Sequence, residues 1–101
     1  MEVVITKDNY ESEVLKSDKP VILDFWATWW GACGVLMPSI KELAEEHPEI
    51  KFCTADVDDN MDLAQEHKVS VIPTLVAFKD GKVVNTLVGA ESKEKILDML
   101  K

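Results

Sequence analysis

The chain has 101 residues, 47% of them hydrophobic and 30% charged, which suits one folded domain over residues 1–101 and excludes both a disordered chain and two independent cores. Eleven Lys/Arg against nineteen Asp/Glu give a formal net charge of −8, so the clustered cations that a nucleic-acid partner needs are missing. No apolar run nears the ~20 residues of a membrane span, and Met1-Glu2-Val3-Val4-Ile5 lacks the pattern of a secretory signal, so a cytoplasmic, non-membrane protein is expected.

In chain order, Val3-Val4-Ile5 reads as a short strand, and Thr6 can cap a short helix with Tyr10, Val14 and Leu15 inward. The near-continuous apolar run Val21 to Ala27, interrupted only by Asp24, reads as a central strand covered on both faces. After a turn at 28–31, a helix is expected from about Ala32 to about His47, with Leu36, Ile40, Leu43 and Ala44 on one face and Pro38 inside. Ile50 to Val57 reads as a second buried strand. Its period-2 alternation sets Lys51, Cys53 and Ala55 opposite Ile50, Phe52 and Thr54. Asp58-Asp59-Asn60 offers capping groups for a helix from Met61 to His67, and Val69 to Pro73 is a loop. Leu75–Phe78 and Lys82–Val88 flank Lys79-Asp80-Gly81, a hairpin signal, and Ser92 can cap a last helix burying Ile96, Met99 and Leu100. The order β-α-β-α-β-α-β-β-α implies an α/β fold with a mixed central sheet flanked by helices.

The stretch Asp24-Phe25-Trp26-Ala27-Thr28-Trp29-Trp30-Gly31-Ala32-Cys33 resembles the active-site segment of the thioredoxin family, D-F-W-A-x-W-C-G-P-C, at eight of ten positions. The resemblance continues through Pro38, Ile72-Pro73-Thr74, Phe78-Lys79-Asp80-Gly81 and Val88-Gly89-Ala90, and so covers the whole chain. It implies the thioredoxin fold, no cofactor, and protein-disulfide reduction served by a thioredoxin reductase and disulfide-bearing client proteins.

Two departures fall inside the redox tetrapeptide, where Trp30 stands for the first cysteine and Ala32 for the proline, with Gly31 and Cys33 unchanged. In the family the first cysteine attacks as a thiolate, favoured by the positive end of a helix. An indole has no ionisable nucleophile. Cys33 matches the resolving cysteine and has no mixed disulfide left to resolve, so dithiol–disulfide cycling is expected to be lost or severely impaired.

By the same resemblance Asp24 is a buried proton acceptor for the resolving thiol, with a pKa raised by desolvation; a purely structural, hydrogen-bonded aspartate is the alternative. Thr54 stands where the family often carries a lysine near that aspartate. Pro73 resembles the family's cis-proline, against an ordinary trans loop proline. Trp29, Ile72, Pro73, Gly89 and Ala90 would then form an apolar docking surface for extended clients. Cys53 is expected to be a small core residue, unable to reach Cys33.

Two cysteines are too few for a disulfide scaffold or an all-cysteine zinc site. His47 and His67 are expected as cationic caps of helix C-termini and not as metal ligands. One Cys33 thiolate per chain cannot complete an iron–sulfur cluster. The alternative to an impaired redox protein is a non-enzymatic peptide-binding module, or a scaffold self-associating through Trp30, although a monomer is expected.

Overall fold

The computed structural model describes residues 2–101. Five strands, β1 (Val3–Val4), β2 (Val21–Trp26), β3 (Lys51–Asp56), β4 (Thr74–Lys79) and β5 (Lys82–Val88), form one sheet in the order β1-β3-β2-β4-β5. The β1–β3 and β3–β2 pairs are parallel, while β2–β4 and β4–β5 are antiparallel. The central place of β2 follows from its sequence: Val21 to Phe25 are all buried, as a strand covered on both faces requires.

The pleat divides the core in two. Val21, Leu23, Phe25, Cys53, Ala55, Val76 and Phe78 face Tyr10, Val14, Leu63 and Ala64. Ile22, Phe52, Leu75 and Ala77 face Leu36, Ile40 and Leu43 of α1 (Gly31–Glu46) and Ile96 of α3 (Lys93–Asp98). The alternation expected for the third strand is therefore observed, with Cys53 and Phe52 on opposite faces. Helix α1 continues through Pro38, which cannot donate to the Gly34 carbonyl; Gly34 is exposed, so water can take that acceptor. Ser92 Oγ accepts from Lys95 N–H at 3.3 Å and caps α3 as its sequence suggests.

Four local expectations are corrected. The first helical segment, Glu11–Leu15, is a single wide turn closed by Lys16 N–H to Glu11 C=O at 2.9 Å, an i→i+5 bond. Tyr10 and Val14 are buried, but Leu15 ends the turn at the rim and is 38% exposed. Asn60 does not cap α2 (Met61–Glu66). Its amide points inward and donates to Asp56 C=O at 2.9 Å and Ile5 C=O at 3.3 Å, tying β3 to the chain after β1. His67, at the end of α2, is not a solvated cationic cap: its ring lies 5.5 Å from both the Phe25 and Phe78 rings, and burial lowers its pKa. His47 does end α1, but its Nδ1 pairs with Glu49 Oε2 at 2.9 Å. Among the described residues no helix is long and apolar enough to cross a membrane.

Candidate functional site at the start of helix α1

The site lies where β2 ends and α1 begins. Asp24 is in register with Thr54 of β3 and Leu75 of β4, and it faces the α1 side of the sheet with Ile22. It is fully buried, and neither carboxylate oxygen has a hydrogen-bond partner. Desolvation alone accounts for the rise of its pKa to about 7. Among the described residues no protein group satisfies this carboxyl, and Thr54 beside it contributes no cation.

Ala27 to Trp30 make a tight link, with Trp30 N–H donating to Ala27 C=O at 3.2 Å and Cys33 N–H to Trp30 C=O at 3.1 Å. Trp30 immediately precedes α1 in an extended conformation, and its side chain caps no backbone group. Trp29 and Trp30 are 65% and 46% exposed, and their rings meet edge to face with centroids 6.0 Å apart. Trp29 Nε1–H donates to Asp58 Oδ2 at 2.7 Å, which fixes the first indole against the loop after β3. Gly31 is open to solvent and Ala32 is half-buried.

Cys33, on the first turn of α1, is fully buried. Burial pushes its thiol up from its usual range, a backbone hydrogen bond from Ala27 pulls the other way, and the Asp24 charge adds to the rise. Cys53 packs among Leu23 and Phe25 on the far face of the sheet, with its pKa pushed up to about 12, chiefly by burial.

The Ile72–Pro73 bond is cis, and Gly89 N–H donates to Pro73 C=O at 2.8 Å. Thr74 Oγ1–H donates to Val71 C=O and folds the preceding loop back. Trp29, Trp30, Ser70, Val71 and Ile72 enclose an open groove of about 300 Å³. Among the described residues, Ile72 N–H and C=O make no backbone hydrogen bond.

Of the residues expected to form a docking surface, Trp29 and Ile72 line this groove. Pro73 is buried beneath it, while Gly89 is half-buried and Ala90 exposed beyond it. Ser70 and Val71 were not singled out by the sequence, and Asp58 was expected only among the capping groups of the following helix. Ser70 and Val71 carry no sequence signal beyond lying in the loop before Ile-Pro, and for the bond of Asp58 to Trp29 there is none, because its partner lies twenty-nine residues away.

The sequence model of the Thioredoxin family matches residues 1–101. A thioredoxin of Streptomyces clavuligerus is 41% identical over 93 residues, covering 92% of this chain and 87% of that protein. A thioredoxin of Pseudomonas aeruginosa is 40% identical over 99 residues, covering 97% and 92%. A bifunctional thioredoxin reductase/thioredoxin of Mycobacterium leprae is 38% identical over 96 residues, covering 94% of this chain and 21% of that protein. With this sheet order and a family match over its full length, the chain belongs to the thioredoxin family.

Proposed function

We propose that this protein is a single-domain thioredoxin-family member without dithiol–disulfide exchange, whose remaining capacity is to hold an extended polypeptide segment in the groove beside Trp30. The observation that carries this reading is Trp30 itself: the residue at the start of α1, where an attacking thiolate would stand, is a half-exposed indole.

Exchange needs an accessible thiolate and then a second thiol to release the product. Cys33 is buried with a raised pKa, and Cys53 belongs to the opposite face of the sheet. Neither supplies the missing step. A thioredoxin reductase that contacted this chain would find no disulfide between these two thiols to reduce, and clients would be bound without being reduced. Two free, buried thiols suit a reducing compartment such as the cytoplasm.

The binding half of the proposal is supported by the groove and by the free backbone groups of Ile72, which an extended segment can pair as an added strand. Oxidation of the native chain with diamide, followed by intact mass under denaturing conditions, tests the redox half. Both thiols are expected to remain free in the monomer, and an intramolecular Cys33–Cys53 disulfide would contradict it. Titration of tryptophan emission with an extended apolar peptide tests the binding half. Saturable quenching that is lost in Trp30→Ser is expected, and an unchanged response in that variant would contradict it.

A further inference from the structure

We infer that the occupant of the Trp29/Trp30 groove is an extended peptide segment carrying lysine or arginine beside its apolar residues, and not a second copy of this chain. This rests on the groove reading above and adds the chemistry of the partner.

The groove floor is apolar, but one of its walls continues into an acidic surface. Trp29 is shared: its ring lines the groove, and its N–H is bonded to Asp58 Oδ2 at 2.7 Å. Asp58 in turn borders a shallow depression of about 260 Å³ with Asp59, Asn60, Asp62 and Met61. Asp58, Asp59 and Asp62 are exposed and make no ion pair among the described residues. Lys7 lines the same depression, and exposed Lys68 stands at the base of the loop, so the rim carries more acidic than basic groups. At the other side, the first turn of α1 carries no acidic residue, and its first cation is Lys41, far along the helix.

The exposed Trp30 face adds a second attraction of the same sign. An indole is the best aromatic partner for a cation, whether ammonium or guanidinium. A lysine or arginine flanking an apolar core can therefore lie over Trp30 or against Asp58 and Asp59, while the apolar core fills the space beside Val71 and Ile72. A second copy of this chain brings the wrong field, since two chains of net charge −8 repel each other on approach, within a Debye length of about 8 Å. The same negative field draws a cationic segment in and raises its association rate.

Two fluorescein-labelled peptides test this, a Val-Ser-Val-Ser core flanked on both sides by Lys-Lys or by Glu-Glu, titrated by anisotropy against the full chain. The lysine peptide is expected to bind about tenfold more tightly than the glutamate peptide at low salt. That preference should shrink to about threefold at high salt or in Asp59→Asn/Asp62→Asn, where the field is screened or reduced. Trp30→Ser should weaken the lysine peptide more than the glutamate peptide. Equal binding of both peptides, insensitive to salt yet lost in Trp30→Ser, would overturn the cationic partner and leave the groove reading standing. Binding of neither peptide would overturn both. Dimerisation of the free chain at micromolar concentration, abolished by Trp30→Ser, would show the second copy to be the occupant and overturn the inference.

Discussion

Cys33 and Cys53, the only two thiols of the chain, lie on opposite sides of the central sheet. Cys33 sits on α1, on the side to which Asp24 and Ile22 point, and Cys53 packs with Leu23 and Phe25 on the other. A disulfide needs Cα atoms within about 7 Å and converging Cβ vectors, which a sheet lying between the two residues denies. These two thiols are therefore not placed to pair with each other within one chain.

Both thiols should be protected from reagents in the native state. Mass spectrometry after brief exposure to a maleimide is expected to show negligible labelling of the folded chain and addition at both sites in denaturant. Rapid native labelling of Cys33 would mean that the Ala32 position opens a path to the sulfur.

Asp24 should make the protein less stable as pH rises. Its pKa is about 7 when folded against 3.8 as the reference value, so the folded state holds a proton that the unfolded state releases. The stability this confers is complete below about pH 4 and is lost progressively up to about pH 7, with a total of at most about 4 kcal/mol. Urea denaturation of Asp24→Asn beside the parent should therefore show the variant more stable at alkaline pH, with the gap closing in acid. A parent that is the more stable of the two at alkaline pH would show that the carboxylate has a partner.

His67 works in the opposite sense. Its ring stands against Phe25 and Phe78, its Nε2 is 2.8 Å from Tyr10 Oη, and burial lowers its pKa below the usual 6.5 despite the nearby Glu66. The folded state prefers the neutral ring, so this contribution is present above about pH 6.5 and is lost as pH falls through the folded value. An NMR titration of the His67 ring should give a midpoint below 6.5. A midpoint above it would mean that Glu66 outweighs the aromatic walls.

The β4–β5 hairpin depends on one glycine. Asp80 and Gly81 both have positive φ, +53° and +77°, the pair of values that a two-residue type I′ turn requires. A Cβ on Gly81 would strike the backbone carbonyl of Leu15, which has no freedom to move aside as a side-chain tip would. Gly81→Ala should cost about 1–3 kcal/mol of stability. An unchanged denaturation midpoint would show that the turn can re-form without the positive φ.

Periodicity and turn chemistry made most of the fold readable. The buried run from Val21 to Phe25 announced a central strand, Asp80-Gly81 announced the hairpin, and the spacing of Leu36, Ile40 and Leu43 announced the inner face of α1. The features that stayed hidden depend on contacts distant in sequence. Asn60 has the composition of a cap, but the Ile5 carbonyl, fifty-five residues away, draws its amide inward. His67 sits at a helix end, where a cation is normally favoured, yet Phe25 and Phe78 enclose it from two different strands. At the site, Trp30 and Cys33 could be placed from the motif alone. The bond between Trp29 and Asp58, which joins the groove to the acidic surface, could not.

An indole at position 30 is expected to end thiol–disulfide exchange. Reduction of insulin by dithiothreitol, followed by turbidity, tests it most directly with the parent beside the double variant Trp30→Cys/Ala32→Pro. The parent is expected not to accelerate precipitation beyond dithiothreitol alone, whereas the variant, with a thiol restored at the start of α1 and Cys33 behind it, is expected to do so. Comparable turnover by the two proteins would contradict it.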